Sequence, residues 1–186
     1  MSLPEYSKLF ETLPSKEVSQ LIALESVKKP ERLEELLTLF YSDDLRISQR
    51  SSHALGKIAD IDCSVLYPHL RGMLDRIKKP VHNSLRRNVF RTFQYMQLPE
   101  ELEGEILELG IERMRDAKEA IAVKVFAMTT CFNIVIQHKE LVPELIYIIE
   151  EQYPHGSTGF KNRARKLLKK LNYLFYMKKS IIFGEY

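Results

Sequence analysis

Cationic side chains that recur at a nearly constant offset are the residues of this chain whose spacing most suggests chemistry. Arg50, Arg87, Lys124 and Arg163 are separated by 37, 37 and 39 residues. Each follows an equivalent helix position by three residues, which places it beside the apolar stripe of its helix rather than opposite it. We call these four residues the basic column. In a stack of helix pairs it is expected to run along the concave wall.

The basic column has two interpretations at this stage. In the first it is a structural ladder, in which each cation pairs with an acidic turn residue of a neighbouring segment, such as Asp43, Asp44 or Asp116. In the second it lines a groove for an anionic ligand or partner. A guanidinium has five N–H donors, so both can hold in part. The cations that would widen such a groove at its two ends are Arg46, His53, Lys57, Lys166 and Lys170.

A second candidate site is the Gly156–Gly159 turn, which opens a basic helix. The segment from Gln152 to Gly184 carries eight basic residues and no acidic one, so its charge is +8 while the rest of the chain carries −5. The N–H groups and positive dipole at a helix start favour an anion. Equally, Ser157 or Thr158 can be an ordinary N-cap ahead of a solvated basic helix. The candidate ligands here are Ser157, Thr158, Lys161, Arg163 and Lys166.

No motif for catalysis or metal binding accompanies these cations. The sequence contains no GxxxxGK[ST], GxSxG or HExxH, and its five histidines never pair at i,i+4. Cys63 and Cys131 lie outside any CxxC or Cys/His cluster, and Cys131 falls on an apolar stretch that favours an inert, packed thiol. We therefore expect no catalytic residue, no metal and no cofactor.

The composition is that of an ordinary globular protein. The 186 residues have a net charge of +3, with 45% apolar and 28% charged residues, which fits one domain spanning residues 1–186. The start of the chain has no signal-peptide pattern, the thiols are predicted to be free, and no apolar run reaches the ~20 residues of a membrane-spanning helix. These features predict a cytoplasmic protein that has no contact with a membrane.

Apolar residues repeat with the same period as the cations. Leu33, Leu70 and Leu107 are spaced by 37 residues, and Leu145 follows after 38. Four further columns repeat at 37 residues, with a last spacing of 38 or 39 where a fourth member exists; one of them is Ile58, Tyr95, Phe132 and Leu171. Within each unit the apolar residues fall at helical spacing, so each unit holds two helices and the fold is predicted to be an all-α solenoid. The predicted pairs are 31–41 with 44–60, 65–78 with 81–97, 99–115 with 117–137 and 140–153 with 158–176. A short helix at 15–28 precedes these pairs. The repeats span about 31–60, 65–97, 99–137 and 140–176, and 172–186 forms a C-terminal cap or a partner-docking tail.

The unit length and the segment Asp43–Ile58 resemble HEAT-like repeats. An acidic turn, an early basic residue and the Ala54-Leu55-Gly56 run near the end of the second helix carry the likeness. The whole chain also resembles a group of short bacterial HEAT-like proteins of unassigned role, a group sometimes named adenylosuccinate lyase by automated transfer. That lyase family has a Ser-Ser-x-Met-Pro-x-Lys-x-Asn loop, whereas here Ser51-Ser52 is followed by His53-Ala54-Leu55.

This resemblance implies a function of the binding kind. The first hypothesis is a non-enzymatic interaction scaffold that binds a protein partner on its concave face, and the charge split favours an acidic partner or self-association. The alternative is binding of nucleic acid or another anionic ligand along the basic groove, as in HEAT-like DNA glycosylases. Their Trp residues are absent here and no matching Asp can be placed. Adenylosuccinate lyase activity is the remote third alternative.

Overall fold

The computed structural model describes residues 5–12 and 16–183, with side chains described for 5–10 and 16–175. Over these ranges the secondary structure is helical and no strand occurs, which confirms the all-α prediction. The chain divides into two compact units, residues 1–97 and 98–186. That the whole chain is one domain stays a prediction.

Within its described residues, the first unit contains six α-helices. A 3-10 helix, Cys63–His69, precedes the fifth of them. The bounds of these helices are α1 Tyr6–Thr12, α2 Lys16–Lys28, α3 Pro30–Phe40, α4 Leu45–Ile58, α5 Leu70–Lys78 and α6 Asn83–Phe93.

As far as Phe183, where the described part ends, the second unit contains four α-helices and a short 3-10 helix, Lys139–Leu141, ahead of the third. The bounds of the α-helices are α7 Glu100–Arg115, α8 Ile121–Val135, α9 Val142–Gln152 and α10 Thr158–Phe183. The helices predicted from the apolar period are therefore present, in pairs of α3 with α4, α5 with α6, α7 with α8 and α9 with α10.

Local sequence accounts for several of the helix starts. Pro30 and Pro143 lie in the first turns of α3 and α9, where a missing N–H costs least. The side chain of Asp44, rather than that of Asp43, caps α4 by accepting a hydrogen bond from the backbone N–H of Ile47 at 2.9 Å. Ser15, the first residue of the helix predicted at 15–28, lies outside the described residues.

Helix pairing buries one apolar stripe per helix. Leu36 and Phe40 of α3, Leu74 of α5 and Phe90 of α6 are at most 2% exposed within the first unit. In the second unit the same low exposure is found for Ile106, Met128, Ile148 and Leu171. An isolated pair of helices would leave such stripes exposed to water. Each helix pair therefore depends on the neighbouring pairs to complete its core.

Three details differ from the sequence prediction. Helix α1 was not predicted at all. Helix α5 begins at Leu70 rather than at residue 65, because the chain around Pro68 first forms the 3-10 helix. Helix α10 continues to Phe183 instead of ending near residue 176. The segment predicted to be a cap or tail is therefore, up to Phe183, a continuation of the last helix.

Candidate anion- and partner-binding sites

The packing of α4 against α6 brings part of the basic column together in the first unit. The amide Nδ2 of Asn88 donates to the buried Oγ of Ser52 at 3.0 Å. A Cβ on Gly56 would lie 3.0 Å from Oδ1 of Asn88, so the absence of a side chain at Gly56 permits this close approach. This polar seam fixes the spacing of the side chains that flank it.

One arginine beside the seam forms the kind of rung that the ladder hypothesis expects, but it is not a member of the basic column. Arg91 of α6 contacts the carboxylate of Asp60 at 2.6 Å and also donates to the carbonyl oxygen of Gly56. Lys57 lies 3.5 Å from the same carboxylate. These cations hold the pKa of Asp60 below its ordinary value, although burial opposes the shift.

The basic-column residues of the first unit have no such carboxylate. Arg46, Arg50 and His53 follow one another on one side of α4, and Nη2 of Arg87 on α6 lies 3.2 Å from both ring nitrogens of His53. We call these four residues the α4/α6 basic cluster. Among the described residues, no Asp or Glu forms an ion pair with its arginines. In this unit the arginines of the basic column thus lack the ion pairs to Asp43 and Asp44 that the ladder interpretation expects.

In the second unit, Arg163 of α10 reaches back to α8. Its Nη1 donates to Oγ1 of Thr129 at 2.6 Å, and Thr129 in turn donates to the carbonyl oxygen of Val125 at 3.0 Å. Lys124 is half-buried on α8. Asp116 accepts a hydrogen bond from the backbone N–H of Lys118, so its carboxylate serves a turn and does not pair with the column.

A groove runs between α8 and α10 beside Arg163. Its volume is about 1160 Å³, and we call it the α8/α10 groove. Its floor includes Phe132, 8% exposed, and Leu167, 6% exposed. Nζ of Lys170 lies 5.8 Å from the centre of the Phe132 ring. The full lining is Thr129, Phe132, Asn133, Ile136, Arg163, Lys166, Leu167, Lys169, Lys170, Tyr173 and Leu174.

The start of α10 is an ordinary N-cap with a smaller cavity beside it. Oγ of Ser157 accepts a hydrogen bond from the backbone N–H of Phe160 at 3.3 Å, and Thr158 is exposed. Lys124 and Ser157 line a cavity of about 450 Å³, but so does the buried carboxylate of Glu119. A carboxylate in the lining opposes an anion at this place, so the cap interpretation fits the geometry better.

The remaining candidates lie apart from these sites. Nζ of Lys161 lies 5.9 Å from the ring centre of Tyr153. Lys166 is exposed on the rim of the α8/α10 groove. Burial raises the pKa of the Cys131 thiol to about 12, as expected of an inert packed cysteine. Within the part of the chain that the structure describes, no group of three or more His, Cys, Asp or Glu could hold a metal ion.

Paired helices that bury repeated apolar stripes, with polar sites between the second helices of adjacent pairs, define a helical-repeat protein. The comparison with protein families specifies the class: the model of the HEAT repeat domain matches residues 6–171, so the chain belongs to the HEAT repeat family. No curated protein and no solved structure matched the chain. Over residues 5–12 and 16–183, no helix is long and apolar enough to cross a membrane.

Sequence reasoning identified the cations but missed part of what surrounds them. Lys169 and the apolar floor of the groove were not assigned to a site, although Phe132 was one of the repeating apolar positions. The repeat period marks Phe132 as inward-facing, and the eight-cation segment lies on the next helix pair. Placing these two signals together would have predicted the groove.

Proposed function

We propose that this HEAT repeat chain is a non-enzymatic scaffold and that its α8/α10 groove binds an acidic segment of a protein partner. The observation that carries the proposal is the combination of an apolar floor with a purely cationic set of charged lining residues. Repeat proteins generally use such surfaces between helices for binding rather than for catalysis. That the groove belongs to a concave face stays a prediction.

The size and openness of the groove favour a polypeptide over a small metabolite. Its volume of about 1160 Å³ is above the ~300–1,000 Å³ range of typical small-ligand pockets. Tyr173 remains 64% exposed at its edge, and large aromatic side chains are enriched where proteins bind one another. An amphipathic helix can place apolar side chains on Phe132 and Leu167 while its polar edge stays at the rim.

Charge selects the kind of segment. Arg163, Lys166, Lys169 and Lys170 line the groove, and none of the lining residues is acidic. Carboxylates of a bound segment would meet cations, whereas a basic segment would meet like charges, which cost several kcal/mol at an interface. The preferred partner therefore carries Asp or Glu beside a short apolar stripe.

A binding experiment with a designed pair of peptides tests this proposal. A fluorescent amphipathic peptide with Glu on its polar face is compared with the same peptide carrying Lys, using fluorescence anisotropy. The double variant Lys166→Glu, Lys170→Glu is expected to bind the Glu peptide at least tenfold more weakly. The control Lys118→Glu, Lys139→Glu makes the same charge change at exposed positions outside the groove lining and is expected to bind as the parent chain does. Equal weakening by both variants would reject the groove.

Nucleic-acid binding is the second candidate, and one observation favours it. Tyr173 is exposed among Lys166, Lys169 and Lys170, and single-stranded nucleic acid is held by aromatic stacking within a cationic surface. The same anisotropy assay with an oligothymidylate tests this. Tight oligonucleotide binding that falls steeply with salt and is lost in Tyr173→Ala, with no binding of the Glu peptide, would replace the protein-partner proposal.

A further inference from the structure

The arginines of the α4/α6 basic cluster in the first unit differ from several other arginines of this chain. Arg32 pairs with Glu25 and Glu35, Arg91 with Asp60, Arg113 with Glu112, and Arg115 with Glu151. Each of these four arginines thus has a carboxylate partner, whereas Arg76 and Arg163 donate to uncharged oxygens. Among the described residues, Arg46, Arg50 and Arg87 make no ion pair with a carboxylate.

Arg50 is the most exceptional member of the cluster. Its Nη1 is enclosed by protein and has no hydrogen-bond partner among the residues that the structure describes. Arg76 and Arg113 also enclose one unpaired nitrogen, but each of them donates through another nitrogen, to the carbonyl oxygen of Ser42 and to Glu112. An enclosed donor without an acceptor is unfavourable, and it is worse for a charged group. The described part of the fold therefore supplies no acceptor for Nη1 of Arg50.

The neighbours of Arg50 increase this deficit. Arg46 lies four residues before it, so the two guanidiniums project from adjacent turns of α4 and repel each other. Burial and the charge of Arg46 lower the pKa of Arg50. On the other side, burial lowers the pKa of His53, and the charges of Arg87 and Lys57 lower it further. The cluster concentrates positive charge that an anion would neutralise.

We propose that the α4/α6 basic cluster is a binding site for a single phosphoryl group, in which the guanidinium of Arg50 and those of Arg46 and Arg87 hold the oxygens. A phosphoryl dianion offers several acceptors and two charges, which suits planar guanidinium donors on two adjacent helices. The phosphoryl group can come from free phosphate or from a phosphorylated side chain of a partner.

The extent of the cluster favours one phosphoryl group over a nucleic-acid backbone. Toward the C-terminal ends of α4 and α6 the next cations are Lys57 and Arg91, and both lie against the carboxylate of Asp60. Arg86 of α6 donates instead to the carbonyl oxygen of Val81. Cationic surface available to an anion is thus confined to about two turns of α4 and the facing part of α6. A strand of nucleic acid requires cations that follow several phosphates.

The imidazole of His53 provides a direct readout in the unmodified protein. Sodium phosphate is titrated against sodium chloride of equal ionic strength while the histidine ring signals are followed by NMR, with His53→Gln used to assign the resonance. We expect phosphate, and not chloride, to raise the pKa of His53 by at least half a unit, because a bound anion offsets the charge of Arg87. An equal response to both salts would overturn the proposal.

Variants then locate the site and identify the source of the phosphoryl group. Arg50→Gln is expected to weaken phosphate binding at least tenfold, whereas Arg71→Gln, an exposed arginine of α5, leaves it unchanged. A phosphoserine peptide that binds at least tenfold more tightly than phosphate, and more tightly than its unphosphorylated form, identifies a modified partner. Equal affinity for phosphate and the phosphopeptide identifies the free ion. Arg50-dependent binding of an oligonucleotide with no response to phosphate would overturn the assignment.

This site can fail or succeed independently of the proposed scaffold function. Arg50→Gln changes the first unit, whereas the acidic-peptide assay reports on the α8/α10 groove of the second. Loss of phosphate binding with intact Glu-peptide binding supports two separate sites. A loss of both activities in Arg50→Gln would contradict a phosphoryl site confined to the first unit.

Discussion

At the scale of single residues, a histidine contact makes the second unit sensitive to pH. Nε2 of His138 lies 2.6 Å from a carboxylate oxygen of Glu103. That hydrogen bond raises the pKa of His138, with smaller contributions from the charges of Glu103, Glu140 and Glu100 and some opposition from desolvation. The folded state therefore favours the protonated ring. Its stabilising effect is complete below the unfolded pKa of ~6.5 and is lost as the pH rises through the folded pKa.

Replacement of the carboxylate tests this contact. Glu103→Gln is expected to lower the pKa of His138 toward its ordinary value, as measured by NMR titration of the ring protons. The difference in free energy of unfolding between parent and variant should be larger near pH ~5.5 than near pH ~8, because only the protonated ring gains from the carboxylate. A difference that does not change with pH would show that Glu103 acts on stability by another route.

At the scale of helices, the polar seam between α4 and α6 allows a test of what stabilises the packing of these two helices. Asn88 is 5% exposed and donates to the fully buried Ser52. Asn88→Ala removes this buried bond and leaves the Ser52 oxygen without that donor, so we expect a loss of about 1–3 kcal/mol in the free energy of unfolding. Urea denaturation followed by circular dichroism measures it. The matched control is Asn162→Ala at an exposed position of α10, for which the expected change is within about 0.5 kcal/mol.

A double-mutant cycle with Ser52→Ala separates the bond from the packing. If the hydrogen bond is the main contribution, the double variant should lose less than the sum of the two single variants, because each single change removes the same interaction. Strict additivity would contradict the role given to the seam.

Helices with a periodic apolar stripe were predictable from sequence, and helices fixed only by distant contacts were not. Leu33, Leu70 and Leu107 mark α3, the α5 region and α7 because repeated burial requires an apolar residue at each repeat. Helix α1 has seven residues and lies before the first repeat. Contacts with later helices hold it, including Arg32, whose guanidinium lies 3.9 Å from the ring centre of Tyr6. No local pattern records such a contact.

For the basic column, too, one part was predictable from the sequence and another was not. The cations Arg50, Arg87 and Arg163 were identified because their positions follow the repeat. Their partners depend on which side chain comes within reach after the helices pack. Asp60 pairs with Arg91, a residue outside the column, while Arg87 meets His53 and Arg163 meets Thr129. Side-chain reach is a property of three-dimensional packing, so the ladder partners could not be deduced from spacing alone.

At the scale of the whole molecule, the distribution of charge along the chain matters more than its sum. The net charge is only +3, but residues 152–184 carry +8 and the remainder −5. The remainder includes the exposed Glu100, Glu101, Glu108 and Glu112 of α7. These carboxylates have the chemistry proposed for the partner of the α8/α10 groove. A second copy of the chain is therefore a competitor for that groove.

This competition predicts weak, salt-dependent self-association. At low ionic strength the weight-average mass from light scattering should rise above the monomer mass of 21.8 kDa as the protein concentration increases. It should return to the monomer mass near ~1 M salt, where the screening length falls to about 3 Å from about 10 Å at 0.1 M. Lys166→Glu, Lys170→Glu should abolish the effect, and Lys118→Glu, Lys139→Glu should not. A mass that increases with added salt would instead indicate apolar association, since salt weakens contacts between opposite charges.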